Sequence, residues 1–161
     1  MELHRHASLA AALILAAVIS ASAQVEKVAM RTTGISCGAC AAVSEIYLKR
    51  LESVDKVTIS MANEAVTVSY KAGATFNPSE LRQVLKKTEV GVVQFQISAR
   101  GRVQEQEGKR VFVAGKDKFL VIGSPASPPL PSDTPISVEG VVNDKPSPME
   151  LKILSFTPVK P

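Results

Sequence analysis

Histidine is absent after residue 6, tryptophan is absent altogether, and the aromatic residues number seven, five Phe and two Tyr, in 161. Cysteine occurs twice, at Cys37 and Cys40. The scarcity of histidine is the most restrictive of these facts. Ser-His and Cys-His catalysis need an imidazole that exchanges protons near neutral pH, and His-rich zinc or copper(II) sites need its ring nitrogens. Long apolar runs are also missing, apart from Leu9–Ile19, which is well short of the ~18–20 residues that cross a bilayer. That run follows Arg5 and precedes the small residues Ala21-Ser22-Ala23, the three-part pattern of an export signal, rather than an uncleaved anchor. Residues 1–23 are therefore expected to be removed, with a mature start at Gln24 and a periplasmic or secreted location.

Cleavage there would remove both histidines and leave 18 basic and 14 acidic residues spread along the chain. Nucleic-acid binding favours clustered Lys and Arg among stacking aromatics, so no nucleic-acid partner is expected. Composition divides the rest in two. Nine of the ten prolines lie at or after Pro125, both cysteines lie before residue 41, and Arg100-Gly101-Arg102 reads as a polar break. The expected units are 24–99 and 100–161.

In the first unit, Glu26–Thr32 reads as a strand with Val28 and Met30 on one side. From Cys37 the spacing turns helical through Cys40, Val43, Tyr47 or Leu48 and Leu51, giving a helix from about Gly38 to Leu51. Val57, Ile59 and Met61 alternate with polar residues, as do Val66, Val68 and Tyr70, so two strands with a tight turn follow, with Met30 and Met61 both in the sheet core. Asn77-Pro78-Ser79-Glu80 combines an N-cap, a proline at the first helical position and a glutamate three residues after the cap. Leu81, Val84, Leu85 and Thr88 mark that helix's inner face, Gly91 stops it, and Val93, Phe95 and Ile97 form a last strand. The fold class is α+β: a βαββαβ, ferredoxin-like unit with both helices on one side of a four-stranded sheet.

The chemistry lies in Gly34-Ile35-Ser36-Cys37-Gly38-Ala39-Cys40. Two thiols three residues apart sit where the first strand passes into the first helix, and unpaired N–H groups and the helix dipole favour negative charge there. Thiolates are the form that binds metal. Two soft donors suit Cu(I), whereas Zn²⁺ normally takes four ligands and would need carboxylates, water or a partner's residues. An open coordination shell lets a partner's thiols add before the host's leave, so transfer rather than storage is expected. Two other readings stand beside this one: a structural disulfide in an exported protein, and a thiol–disulfide oxidoreductase. The latter normally has a Trp before the motif and a proline opposite it, and neither has a candidate here. No carboxylate pair stands out as a general acid and base, so no enzymatic activity is expected.

The motif GISCGAC, the βαββαβ order and Val54 after the first helix together resemble the heavy-metal-associated domain family. That family includes soluble copper chaperones, the N-terminal modules of copper-transporting ATPases and the periplasmic mercury-binding protein. The resemblance covers residues 24–99. It implies one soft ion on Cys37 and Cys40, Cu(I) first, with Hg(II) or Ag(I) as relatives. It also implies a loop supported by Gly34, Ile35, Ser36, Gly38, Ala39, Gly91 and Val92. Ile35 replaces the family's usual methionine, and Gly91-Val92 stands where a glycine followed by an aromatic residue or lysine is usual, leaving Lys86 and Lys87 to screen thiolate charge. The implied partner is a metal transporter or another envelope metal-binding protein, with the chain a monomer or a metal-bridged dimer.

The second unit carries short alternating segments at Val103–Gln106, Arg110–Val113, Lys118–Ile122, Ser137–Val142 and Leu151–Phe156. They predict a small all-β domain, either an open sheet or an OB-like five-stranded barrel. Residues 124–135 hold five prolines in twelve residues, which forbids a central strand and makes a long loop or linker. With no Cys, His or aromatic cluster, this unit is expected to be a docking module.

Overall fold

Alternating β-branched residues produce strands, and two capped stretches of 3.6-residue spacing produce helices. The computed structural model describes residues 22–160, so the expected signal segment, save Ser22 and Ala23, lies outside the described residues. The elements are β1 (Gln24–Thr33), α1 (Gly38–Lys49), β2 (Val54–Ser60), β3 (Ala65–Tyr70), α2 (Pro78–Lys86), β4 (Gly91–Gln106), β5 (Lys109–Ala114), β6 (Asp117–Gly123), β7 (Ile136–Asn143) and β8 (Met149–Pro158). No described helix is long and apolar enough to cross a membrane.

The first half pairs in the order β2-β3-β1-β4, antiparallel throughout, the split βαβ arrangement. Its register aligns Val57, Val68, Val28 and Ile97 in one row and Ile59, Val66, Met30 and Phe95 in the next. These rows share a core cluster with Leu48 of α1 and Leu81, Val84 and Leu85 of α2. The cap of α2 is as expected. Asn77 Oδ1 accepts the Glu80 N–H at 3.1 Å and Pro78 opens the helix, an arrangement that contributes about 1 kcal/mol.

Three local expectations need correction. Met61 is 48% exposed, because β2 ends at Ser60 and Met61 begins the turn into β3. The buried line of α1 is Ser44 and Leu48, flanked by partly buried Ala41 and Leu51, whereas Val43 is 41% exposed. The inner stripe is one residue out of phase with the expected one, because Ser44, although polar, takes the inner position with its hydroxyl bonded to Thr88 Oγ1. The helix α2 stops at Lys86, and the chain reverses at Glu89, which has φ 61. Gly91 is already the first residue of β4.

The Arg100-Gly101-Arg102 segment is not a break. β4 is 16 residues long and passes straight through it. Along one edge it pairs with β1 from Gly91 to Arg100 and then with β5 from Arg102 to Gln106; it also pairs with β7 over Phe95–Gly101. The division at residues 99 and 100 falls inside this strand. From β4 the order β4-β5-β6-β8-β7 returns to β4, with β6 and β8 parallel, so five strands close on themselves. A closed sheet has no exposed edges of its own. The proline-rich segment 124–135 forms no strand. It is laid against the barrel: the Asp133 N–H donates to the Val103 carbonyl at 2.8 Å, and Leu130 packs on the core.

The two halves also meet away from the shared strand. The ring of Phe76, in the segment before α2, packs edge-on to Phe95 at 5.6 Å between centroids and lies 6.2 Å from Phe119 of β6. The Phe76 N–H donates to Asp117 Oδ2 at 3.0 Å. Burial pushes the Asp117 carboxyl above its usual range, and this hydrogen bond partly opposes the shift. Arg82 of α2 grips Asp144, just after β7, through two parallel hydrogen bonds of 2.8 and 2.9 Å.

Candidate metal centre

The strand-to-helix junction is shaped by one residue with no side chain and one buried apolar residue. Gly34 has φ +91, and a Cβ there would lie 2.7 Å from the Glu89 carbonyl oxygen. Ile35, 3% exposed, is buried in the core and fixes the loop that follows. Ser36, Cys37, Gly38 and Ala39 are exposed and Cys40 is half-buried. Cys37 caps α1: its Sγ accepts the Cys40 N–H at 3.1 Å, and its carbonyl accepts from Ala41 N at 3.1 Å. The Cα atoms of Cys37 and Cys40 are 5.2 Å apart, and their sulfurs are joined in a disulfide.

A wall faces Cys40 from the other side. Lys87, Thr88 and Glu89 join Ala39, Cys40 and Val43 around an open groove of about 460 Å³. Lys87 Nζ sits 5.4 Å from the centroid of the Tyr47 ring, and the Arg50 guanidinium lies at the same distance from that ring. Lys86 lines a neighbouring groove with Arg82, Glu89, Val90, Gly91 and Val92. Of the two lysines suggested by the sequence, Lys87 is therefore the one beside Cys40.

The supporting residues read from sequence fall into distinct positions. Gly34 and Ile35 hold the loop. Gly91 pairs with Thr33, and a Cβ on it would meet Thr33 Oγ1 at 2.9 Å, so it ties the wall to the end of β1. Val92 extends this pairing opposite Thr32. At Gly38 a Cβ would meet nothing within 4 Å, so no steric requirement for glycine exists there. Sequence reading missed the link between the helices. Ser44, fully buried, shares a 2.7 Å hydrogen bond with Thr88 Oγ1, which itself donates to the Leu85 carbonyl at 3.0 Å. A hydroxyl on a helix's inner stripe needs a partner when buried, and that was the available signal. Glu89 was missed because a left-handed residue is usually sought among Gly and Asn.

Gly34 yields a direct prediction. In Gly34→Ala the added Cβ meets backbone rather than a movable side chain, and the left-handed conformation disfavours it by about 1–2 kcal/mol. Loss of stability of at least that size is expected in chemical denaturation, with faster thiol labelling of the reduced protein as the loop moves off Glu89. Unchanged stability and labelling would show that the loop does not depend on this close approach.

Among the described residues no group of three or more His, Cys, Asp or Glu side chains is disposed to hold a metal ion. The soft donors that the loop can offer are the two sulfurs of Cys37 and Cys40. Once reduced, these suit a soft ion of low coordination number and not a hard oxygen-seeking one.

Residues 29–90 match the heavy-metal-associated domain family. Comparison with curated proteins finds no match. Among solved structures the chain is similar to a CopZ metallochaperone, at 22% identity and TM-score 0.39, over 42% of this chain and 98% of that one. It is also similar to the N-terminal domain of ZntA in the apo form, at 20% and 0.38, over 43% and 90%. A third is the yeast copper transporter domain Ccc2a, at 18% and 0.37, over 42% and 94%. Cys37 and Cys40, at the start of α1, lie within the residues that match the heavy-metal-associated domain family.

Proposed function

We propose that this is an exported protein that carries one soft metal ion between Cys37 and Cys40 and passes it on by thiolate exchange. Cu(I) is the favoured cargo, with Ag(I) and Hg(II) as chemical relatives and Zn²⁺ disfavoured. The observation that carries the reading is the pair of sulfurs at the mouth of α1, among residues that match the heavy-metal-associated domain family, with no group of three or more His, Cys, Asp or Glu side chains disposed to hold a metal ion among the described residues. Two donors bind a soft ion while leaving its flank open, so an acceptor's thiols can add before either sulfur departs. The acceptor would be a metal transporter or another envelope protein. Val43 and Ile46, 41% and 51% exposed, offer it an apolar contact beside Cys40. The five-stranded barrel, OB-like in its strand order, is the proposed docking module. Loading requires two electrons to reduce the disulfide first.

That bond favours a second reading, a dithiol–disulfide protein. The chain has no other cysteine with which either sulfur could pair, and such a protein would exchange electrons without metal. One experiment separates the two. Reduced protein titrated with Cu(I) against a chromophoric chelator is expected to bind one equivalent, and Cys37→Ser/Cys40→Ser none. Equal binding by the double variant would reject transfer. Metal-independent acceleration of thiol–disulfide exchange, without stoichiometric Cu(I) binding, would establish the alternative.

A further inference from the structure

We infer that Gln24 is a fold-protected site of N-terminal cyclisation: the unfolded chain closes it to pyroglutamate, whereas the folded protein holds it open. The premise is the proposed export, whose cut after Ala23 makes Gln24 the first residue. A free α-amine beside its own γ-carboxamide has an intramolecular reaction open to it. The α-nitrogen attacks Cδ, the Cδ–Nε2 bond breaks, one proton passes from the α-nitrogen to the departing nitrogen, and ammonia leaves.

The fold commits both reacting groups elsewhere. Gln24 opens β1 opposite Arg100 of β4 and is 8% exposed. Its Oε1 accepts the Gly73 N–H at 2.7 Å, and its Nε2 donates to the Lys71 carbonyl at 3.4 Å. Both partners lie in the segment between β3 and α2. The backbone of Gln24 meets a different element, the β5–β6 turn. There Gly115 has φ +65, and a Cβ on it would lie 2.5 Å from the Ala23 carbonyl oxygen and 3.8 Å from Gln24 Cα.

Ring closure brings Cδ back onto its own α-nitrogen, so both side-chain hydrogen bonds must open first. The product has no Nε2, which ends the bond to Lys71 permanently. A chain terminus normally frays unless something ties it down, and here the tie is the carboxamide itself. The segment it holds also carries Phe76, buried in the core, and Asn77, the cap of α2. Opening Gln24 therefore releases the seat of that segment as well, and local opening of a packed unit costs more than fraying of a free end.

The test uses residues 24–161, released from a fusion by a protease that leaves Gln24 first. The chain is incubated in warm neutral buffer, folded or unfolded in guanidinium chloride at matched ionic strength, and loss of one ammonia is followed in the intact mass. The folded chain is expected to cyclise at least ~10-fold more slowly, since one such hydrogen bond is worth ~2- to 12-fold and two must open. Gln24→Ala should speed hydrogen exchange at the Gly73 N–H by a similar factor, which assigns the protection to the side chain rather than to the strand. Folding is checked by circular dichroism. Cyclisation rates within twofold of each other, or Gly73 exchange unchanged in Gln24→Ala, would overturn the inference. The export reading is judged separately, by the first residue of the protein recovered from the cell envelope or medium. A start other than Gln24 defeats the proposed cut, and the two cyclisation rates still decide whether the fold protects this amide.

Discussion

A chain truncated after residue 99 is expected to lose cooperative folding, although it keeps residues 29–90, which match the heavy-metal-associated domain family. The cause is the shared strand. Cutting at residue 99 removes β5–β8, and with them the β7 ladder that satisfies β4 from Phe95 onward. An unpaired edge is open to other chains. The cut also uncovers Phe76 from Phe119 and strips the Phe76 N–H of its acceptor, Asp117. Exposure of Phe76 and loss of its backbone hydrogen bond together cost about 2–4.5 kcal/mol, before the unpaired edge of β4 is counted. A domain's whole net stability is only about 5–15 kcal/mol. Residues 24–99 alone should therefore give a broad thermal transition, poorly dispersed amide resonances and self-association, while residues 24–161 melt sharply. A well-dispersed spectrum and a melting temperature within a few degrees of the longer chain would show that the barrel is an independent appendage.

The features legible in the sequence were those whose cause is local. Alternation at Val66, Val68 and Tyr70, the Asn77-Pro78 cap, and two thiols at a strand-to-helix junction each need only a few neighbouring residues to be recognised. Features set by distant partners were not. Arg100-Gly101-Arg102 reads as polar punctuation, yet Arg100 is paired with Glu26 at 3.0 Å and Gly101 is buried between strands. Ser44 reads as an outward helix residue until Thr88 supplies its partner. Lys87 reads from the sequence only as one of two lysines that could screen thiolate charge, and only the return of β4 beside β1 brings it and Glu89 to the groove at Cys40. In the candidate site, both sulfurs and the loop residues Gly34 and Ile35 were visible in the motif. The opposing wall was legible only in part, as Gly91, Val92 and the two lysines, because its place beside Cys40 depends on the Ser44–Thr88 hydrogen bond and on the pairing of β4 with β1.

Gly101→Val should be the most damaging single substitution outside the metal loop. Gly101 sits at the point where the edge of β4 changes neighbours, from β1 at Arg100 to β5 at Arg102, while Ile136 of β7 stands opposite it on the other edge. Three strands converge there. A Cβ would fall on the Val113 carbonyl oxygen and 2.9 Å from Phe112 Cζ. Phe112 is fully buried, and the carbonyl belongs to a paired strand, so neither can turn aside cheaply. Ordinary overpacking costs about 1–3 kcal/mol; a clash with backbone belongs at or above the top of that range. For a chain of this size about 3 kcal/mol lowers the melting temperature by roughly 10 °C. Gly38→Ala provides the comparison, since its Cβ meets nothing and alanine favours the helix by up to about 1 kcal/mol. If thermal melts place Gly101→Val within 3 °C of the parent, the two halves can separate at this point without loss, and β4 is not the spine that joins the cysteine loop to the barrel.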